Sequence, residues 1–177
     1  MVQGPGEVGQ ALVEDPGVDG IIFTGSWSTG SKIESLAAKQ PHKICALEMG
    51  GKNAALVLKD ADLGLCVRET VGGAFMTTGQ RCNSTSRIII EKSAAKKFIP
   101  LFLEAVDRVR TGYGMDPGAS MGPVASRRGF EKTLAFIRKA PSEGFDVLRK
   151  GGPEESAREG YYLNPSVHLM EGRPRFK

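Results

Sequence analysis

Gly20-Ile21-Ile22-Phe23-Thr24-Gly25-Ser26-Trp27-Ser28-Thr29-Gly30 is the stretch on which the fold turns. Its first four residues form a short, continuously apolar run, as in a buried parallel strand. Thr24 to Gly30 is a turn of small and hydroxyl-bearing residues, and Ser31 to Ala38 reads as helix with Ile33, Leu36 and Ala37 on one face. Strand, small-residue turn and helix make half of a βαβ unit, so the chain is expected to be α/β. A helix opening on such a turn offers unpaired N–H groups and a positive dipole end to an anion. Taken alone, the spacing Gly25-Ser26-x-x-x-Gly30 is equally that of an ordinary strand-to-helix turn.

Working outward, Glu7 to Leu12 can form a short helix and Asp15-Pro16-Gly17 is a turn signal. After Pro41, Lys43 to Leu47 reads as a second buried strand with Cys45 as a small core residue. Glu48 ends that strand, and Met49-Gly50-Gly51 allows close backbone approach and an unusual turn. Ala54 to Leu58 is a strand, and Asp60-Ala61-Asp62 offers caps for a helix carrying Leu63, Val67, Val71, Ala74 and Phe75 at helical spacing. Cys66 falls inside that helix as a core residue. The helix ends near Gly79, so Phe75-Met76-Thr77-Thr78-Gly79-Gln80-Arg81-Cys82 presents Cys82 in a loop before the apolar run Ile88-Ile89-Ile90. Phe98, Leu101, Phe102, Ala105, Val106 and Val109 mark a further amphipathic helix, in which Pro100 is either a kink or part of the first turn. Thr111 to Pro123 is a glycine- and proline-rich loop. Ser126 to Ala140 is a helix with Phe130, Leu134 and Ile137 towards the core. Phe145 to Leu148 is a strand, and Gly151-Gly152-Pro153 is a turn.

Composition narrows the function classes. The 177 residues carry a net charge of +4, with 40% apolar and 25% charged residues, which is ordinary for a globular chain. Basic and acidic residues alternate, and Lys96-Lys97 and Arg127-Arg128 read as solvated helix faces, so no nucleic-acid partner is expected. No signal peptide is visible at Met1 to Gly6, and no apolar run is long enough to span a bilayer, so no membrane association is expected. Three cysteines without paired spacing argue for a reducing compartment, with the cytoplasm as the default. His42 and His168 lie far apart and near no acidic cluster, so no metal site is expected. The lack of a C-x-x-C pair weighs against a thiol redox protein.

The segments FTGSWSTG, LEMGGKN and GQRC, in that order and at those spacings, resemble the three central motifs of aldehyde dehydrogenases. KICALEMGGKN and AFMTTGQRC are most similar to succinylglutamate semialdehyde dehydrogenases, which act in arginine catabolism. Gly122 to Ser126 and Gly160 to Val167 also resemble family segments, the second its late strand region. The resemblance covers nearly the whole chain but only the middle of the family's chain. It implies a partial aldehyde dehydrogenase fold, with residues 1–48 as the last part of a Rossmann-like NAD-binding domain and 49–177 as a truncated catalytic portion. Thr24, Gly25, Ser26, Trp27, Ser28, Thr29, Gly30 and Met49 would then line the cofactor, NAD or, less expectedly, NADP. Cys82 would be the nucleophile and Glu48 the general base. By the same resemblance, the family's oxyanion-holding asparagine, its ribose-gripping lysine and its early strands would precede Met1. A glutamate on the nicotinamide ribose would follow Lys177. The open sheet edge left by the missing strands predicts association into homo-oligomers.

Those residue types suit aldehyde oxidation. A thiolate adds to the aldehyde, and the thiohemiacetal loses hydride to become a thioester that water must cleave. Sulfur needs only modest activation for the first step, and a carboxylate activates water for the last. Glu48 favours hydrolysis of the thioester over acyl transfer. Arg81 and Arg87 flank the thiol in sequence and would favour an acidic semialdehyde, though each equally suits a surface. The alternative is an inactive remnant that serves as a binding or assembly module, keeping Cys82 and Glu48 without their oxyanion and ribose partners.

Overall fold

In the computed structural model, which describes residues 1–155 and 159–172, the chain divides into units Met1–Gly51 and Lys52–Lys177. The first opens with helix α1 (Gly6–Glu14), followed by a turn in which the Gly17 N–H donates to Asp15 Oδ1 at 2.8 Å. Strand β1 (Gly20–Gly25), helix α2 (Trp27–Ala37) and strand β2 (Ile44–Met49) then form a βαβ unit, with β1 and β2 parallel from Gly20↔Ile44 to Gly25↔Met49. α2 begins four residues before the expected Ser31. The reason is Ser26, whose extended backbone and side-chain acceptor for the Thr29 N–H make it the N-cap. Trp27 to Gly30 are therefore the first helical turn rather than a loop.

The two strands are not the buried strands expected from their apolar runs. Burial alternates along both, and Ile22 is 89% exposed. α2 packs on both strands, leaving Ile22, Thr24, Ile44, Ala46 and Glu48 on the exposed face. A continuous apolar run signals two covered faces, and within this unit only alternate residues are shielded. β2 also continues one residue past Glu48, to Met49. The buried Lys43 extends Nζ to the carbonyls of Val13 at 2.6 Å and Asp15 at 2.8 Å. It thereby adds a charged donor to carbonyls at the end of α1 that also accept from the Gln40 side chain and the Val18 N–H.

The second unit repeats the motif. Strand β3 (Asn53–Val57), helix α3 (Leu63–Phe75) and strand β4 (Thr85–Ile90) form a parallel βαβ, with Asp62 capping α3 by accepting from the Leu65 N–H. Helix α4 (Lys92–Asp107) supplies Ala94, Phe98, Phe102 and Val106 to a core shared with Val57. Leu63, Cys66, Val67, Val71 and Phe75 of α3 pack against it, so Cys66 is a core residue as expected. Pro100 lies inside α4, not in its first turn; it forgoes the bond to the Lys96 carbonyl.

Helix α5 (Arg127–Lys139) is capped by Ser126, and its Phe130, Leu134 and Ile137 are half-buried. Strand β5 (Asp146–Arg149) pairs antiparallel with β8 (Val167–Leu169), and the two-residue β6 (Gly152–Pro153) with β7 (Leu163–Asn164). The expected turn at Gly151-Gly152-Pro153 is thus in part a strand, and Gly151, at φ 61°, makes the turn before it. Arg149 grips Asp107 at the end of α4 with Nε–Oδ1 at 2.5 Å and Nη2–Oδ2 at 2.6 Å. That guanidinium holds the Asp107 carboxyl below its ordinary range.

Replacing Lys43 by methionine keeps the apolar stem and removes both donations. The expected loss is about 2 kcal/mol from the first unit, read as a lower urea midpoint together with faster amide exchange in α1.

Candidate active site

The cofactor candidates of the first unit gather where two parallel strands end. Register places Thr24 opposite Glu48 and Gly25 opposite Met49, at the carboxyl ends of the strands, where open α/β sheets bind ligands. Gly30 is buried, and a Cβ there would lie 2.4 Å from the Met49 Sδ, so the first turn of α2 rests directly on the end of β2. The Ser26 Oγ accepts from the Thr29 N–H at 3.2 Å and shares hydrogen bonds with the hydroxyls of Ser28 at 2.9 Å and Thr29 at 3.0 Å. Trp27 stands 70% exposed beside them. Hydroxyls, a helix N-terminus and a glycine-narrowed floor are features that suit a phosphate-bearing dinucleotide. Glu48 is exposed. The turn after it does not use the freedom that its glycines allow. Neither Gly50 nor Gly51 takes a positive φ, and a Cβ on Gly50 would meet nothing within 4 Å.

Cys82 belongs to the second unit, in the loop between α3 and β4. After α3 the chain makes a 3-10 turn over Met76–Gly79, in which Thr77 (φ 54°), Thr78 (φ 58°) and Gly79 (φ 65°) are all left-handed. Gly79 suits this; a Cβ there would lie 2.8 Å from the Ala74 carbonyl oxygen. The threonines do not, since left-handed backbone costs an L-residue about 1–2 kcal/mol. Strain of this kind persists only where surroundings over-determine it. Here Thr78 Oγ1 donates to the Gly122 carbonyl at 2.9 Å, and Gln80 Oε1 accepts from the Ala125 N–H at 2.9 Å.

The chain then turns through Arg81-Cys82-Asn83-Ser84, closed by the Ser84 N–H donating to the Arg81 carbonyl at 3.1 Å and the Arg81 N–H donating to Ser84 Oγ at 3.1 Å. Cys82 occupies the first corner of this turn and is exposed. Asn53 Nδ2 donates to the Cys82 carbonyl at 2.6 Å. Arg87, one of two cations considered for the substrate, donates from Nε to the Lys52 carbonyl at 3.0 Å. Asn53, Thr78 and Gln80 were not legible as site residues. Their partners are remote in sequence; the one signal was that Asn53 closes LEMGGKN and that Thr78 and Gln80 lie within AFMTTGQRC.

The second unit thus displays a thiol on a pinned turn, and the first a carboxylate and a hydroxyl-lined helix terminus at the ends of parallel strands, within an α/β chain. The model of the aldehyde dehydrogenase family matches residues 1–170, and the chain belongs to that family, whose members are oxidoreductases using NAD or NADP. It is 38% identical over 161 residues to a chloroplastic aminoaldehyde dehydrogenase of Arabidopsis thaliana, covering 91% of this chain and 32% of that protein. A chloroplastic betaine aldehyde dehydrogenase of Amaranthus hypochondriacus shows the same 38% identity and coverage.

Among solved structures, the lactaldehyde dehydrogenase of Escherichia coli superposes with a TM-score of 0.86 at 36% identity, over 94% of this chain and 35% of that one. A betaine aldehyde dehydrogenase mutant from Staphylococcus aureus, in complex with NAD+, gives 0.87 at 32% identity, over 94% and 34%. The α/β fold expected from the sequence is that of these proteins. The chain spans about a third of the length of the curated relatives it matches. The two named are an aminoaldehyde and a betaine aldehyde dehydrogenase, not succinylglutamate semialdehyde dehydrogenases.

Replacing Thr77, whose hydroxyl donates to the adjacent Met76 carbonyl, by glycine relieves one left-handed β-branched residue. The second unit should gain about 1 kcal/mol, measured as a raised urea midpoint against the parent chain.

Proposed function

We propose that the chain carries the nucleophile and general base of an NAD-dependent aldehyde dehydrogenase, with Cys82 attacking the aldehyde and Glu48 activating water against the resulting thioester. The observation that carries this is the exposed Cys82 on a turn whose flanking carbonyls are both held, in a chain of this family. The Cys82 N–H would donate to the oxyanion that forms when its sulfur adds to a carbonyl. Residues 1–48 form the last part of the cofactor domain in this reading and 49–177 part of the catalytic one. Thr24, Gly25, Ser26, Trp27, Ser28, Thr29, Gly30 and Met49 would hold the cofactor, with the N-terminus of α2 facing its pyrophosphate. When bound, NAD supplies the hydride acceptor for the thiohemiacetal. Glu48, on an exposed strand end, is reachable by the water it would deprotonate.

The substrate follows at a coarser level, as a small aldehyde. The similarity of KICALEMGGKN and AFMTTGQRC favours succinylglutamate semialdehyde and hence arginine catabolism, whereas the relatives' names favour aminoaldehydes. The three unpaired cysteines suit a reducing compartment, with the cytoplasm the simplest case, although the named relatives are chloroplastic. Among the described residues, no helix is long and apolar enough to cross a membrane.

A second reading, a remnant that binds or assembles without turnover, is favoured by the exposed Ile22, Ile44, Leu56 and Ile89 on the sheet strands. The same open faces support homo-oligomerisation in either reading.

NADH formation by the purified chain, with succinylglutamate semialdehyde, an aminoaldehyde and betaine aldehyde in parallel, tests the proposal. Cys82→Ala should abolish turnover. Glu48→Gln should slow it by on the order of a hundredfold or more while a thioester accumulates on Cys82. Turnover that survives Cys82→Ala refutes the assignment, and a folded chain inert to all three aldehydes selects the remnant reading.

A further inference from the structure

Asn53 lies where β3 begins, across the parallel ladder from the segment leaving the thiol turn. The ladder slips there: Asn53 pairs with Thr85 while Ala54 pairs with Arg87, so Ser86 is the extra residue of a bulge. Bulges re-aim side chains beside active sites. Here the Asn53 amide reaches the carbonyl of Cys82 at 2.6 Å and that of Ser84 at 3.4 Å. The Ser86 hydroxyl donates back to the Asn53 carbonyl at 3.3 Å, so the two strands hold each other across the irregularity.

Both peptide planes flanking Cys82 are thereby fixed. The plane before it is held through the Arg81 carbonyl, which accepts from the Ser84 N–H. In a trans peptide the N–H lies opposite the carbonyl, so this bond also sets the direction of the Cys82 N–H. The plane after it is held through the Cys82 carbonyl, by Asn53 alone among the described side chains. Without that bond the Cys82 backbone could rotate between one fixed and one free plane.

We propose that Asn53 is a positioning residue for Cys82, holding its main chain so that the sulfur and the Cys82 N–H act together on one carbonyl group. This rests on the assignment of Cys82 as nucleophile. Asn53 contacts only main chain near the thiol, so its effect falls on carbonyl addition, where an oxyanion needs an aimed donor, and not on the intrinsic reactivity of sulfur.

Two reagents separate these on the full chain. With p-nitrophenyl acetate the sulfur forms a bond to the acyl carbon through an oxyanion, the ester C–O bond breaks, p-nitrophenolate leaves, and the thiol proton passes to solvent. With iodoacetamide the sulfur displaces iodide and no oxyanion develops. Rates are taken at Cys82 by peptide mass spectrometry, with Cys82→Ala as the blank. Asn53→Ala, at an exposed position, should slow acylation about 10-fold and leave alkylation within about twofold. Asn53→Leu, which keeps the volume without a donor, should do the same. Unchanged acylation in both variants overturns the inference, as does an equal fall in both reactions, which would mean only lost access. Alkylation without acylation in the parent chain overturns the nucleophile assignment itself, a result distinct from failure of Asn53 alone.

Discussion

β3 and β4 run parallel, and that pairing obliges the chain to cross the sheet through α3 before it can return. The thiol turn sits where this crossover re-enters the sheet. Apolar contact anchors the far end of the pair, where Val57 and Ile90 meet α4 around Phe98. Polar contact anchors the near end, where Asn53, Ser86 and Arg87 tie the strand starts together. A sulfur in a loop would otherwise sample many directions. Between a packed core and a hydrogen-bonded strand start, its backbone has few left.

The left-handed run Thr77-Thr78-Gly79 belongs to the same economy of space. It ends α3 abruptly, so that the chain reverses in a few residues and enters the Arg81–Ser84 turn. Two β-branched residues are unfavourable there, and the bonds from Thr78 and Gln80 to the Gly122–Ala125 segment offset part of that cost. The segment after α4 thus steadies a loop far from it in sequence.

The first unit shows a different solution. Its strand ends meet a helix start, and the closeness of α2 to β2 depends on Gly30 lacking a side chain above Met49. Lys43 closes the end of α1 from the foot of β2, so the helix preceding the strands is fixed to them by a buried cation and not by packing alone.

The sequence by itself determined the order of strands and helices in the two βαβ units, the cap at Asp62, the core role of Cys66 and the family, and it singled out Cys82 and Glu48 as the candidate reactive groups. These follow from local periodicity, from side chains that bond their own neighbouring N–H groups, and from short motifs in fixed order. Only the tertiary structure decided the start of α2 at Trp27, the exposure of Ile22, the left-handed threonines and the grip of Asn53 on Cys82. Asn53 stands in sequence only as the last residue of LEMGGKN before a strand, and its partner is 29 positions away. Whether an apolar strand is covered on one face or two depends on which elements pack against it. Which carbonyl an amide reaches depends on a bulge in the ladder, and neither is written in the spacing of residues along the chain.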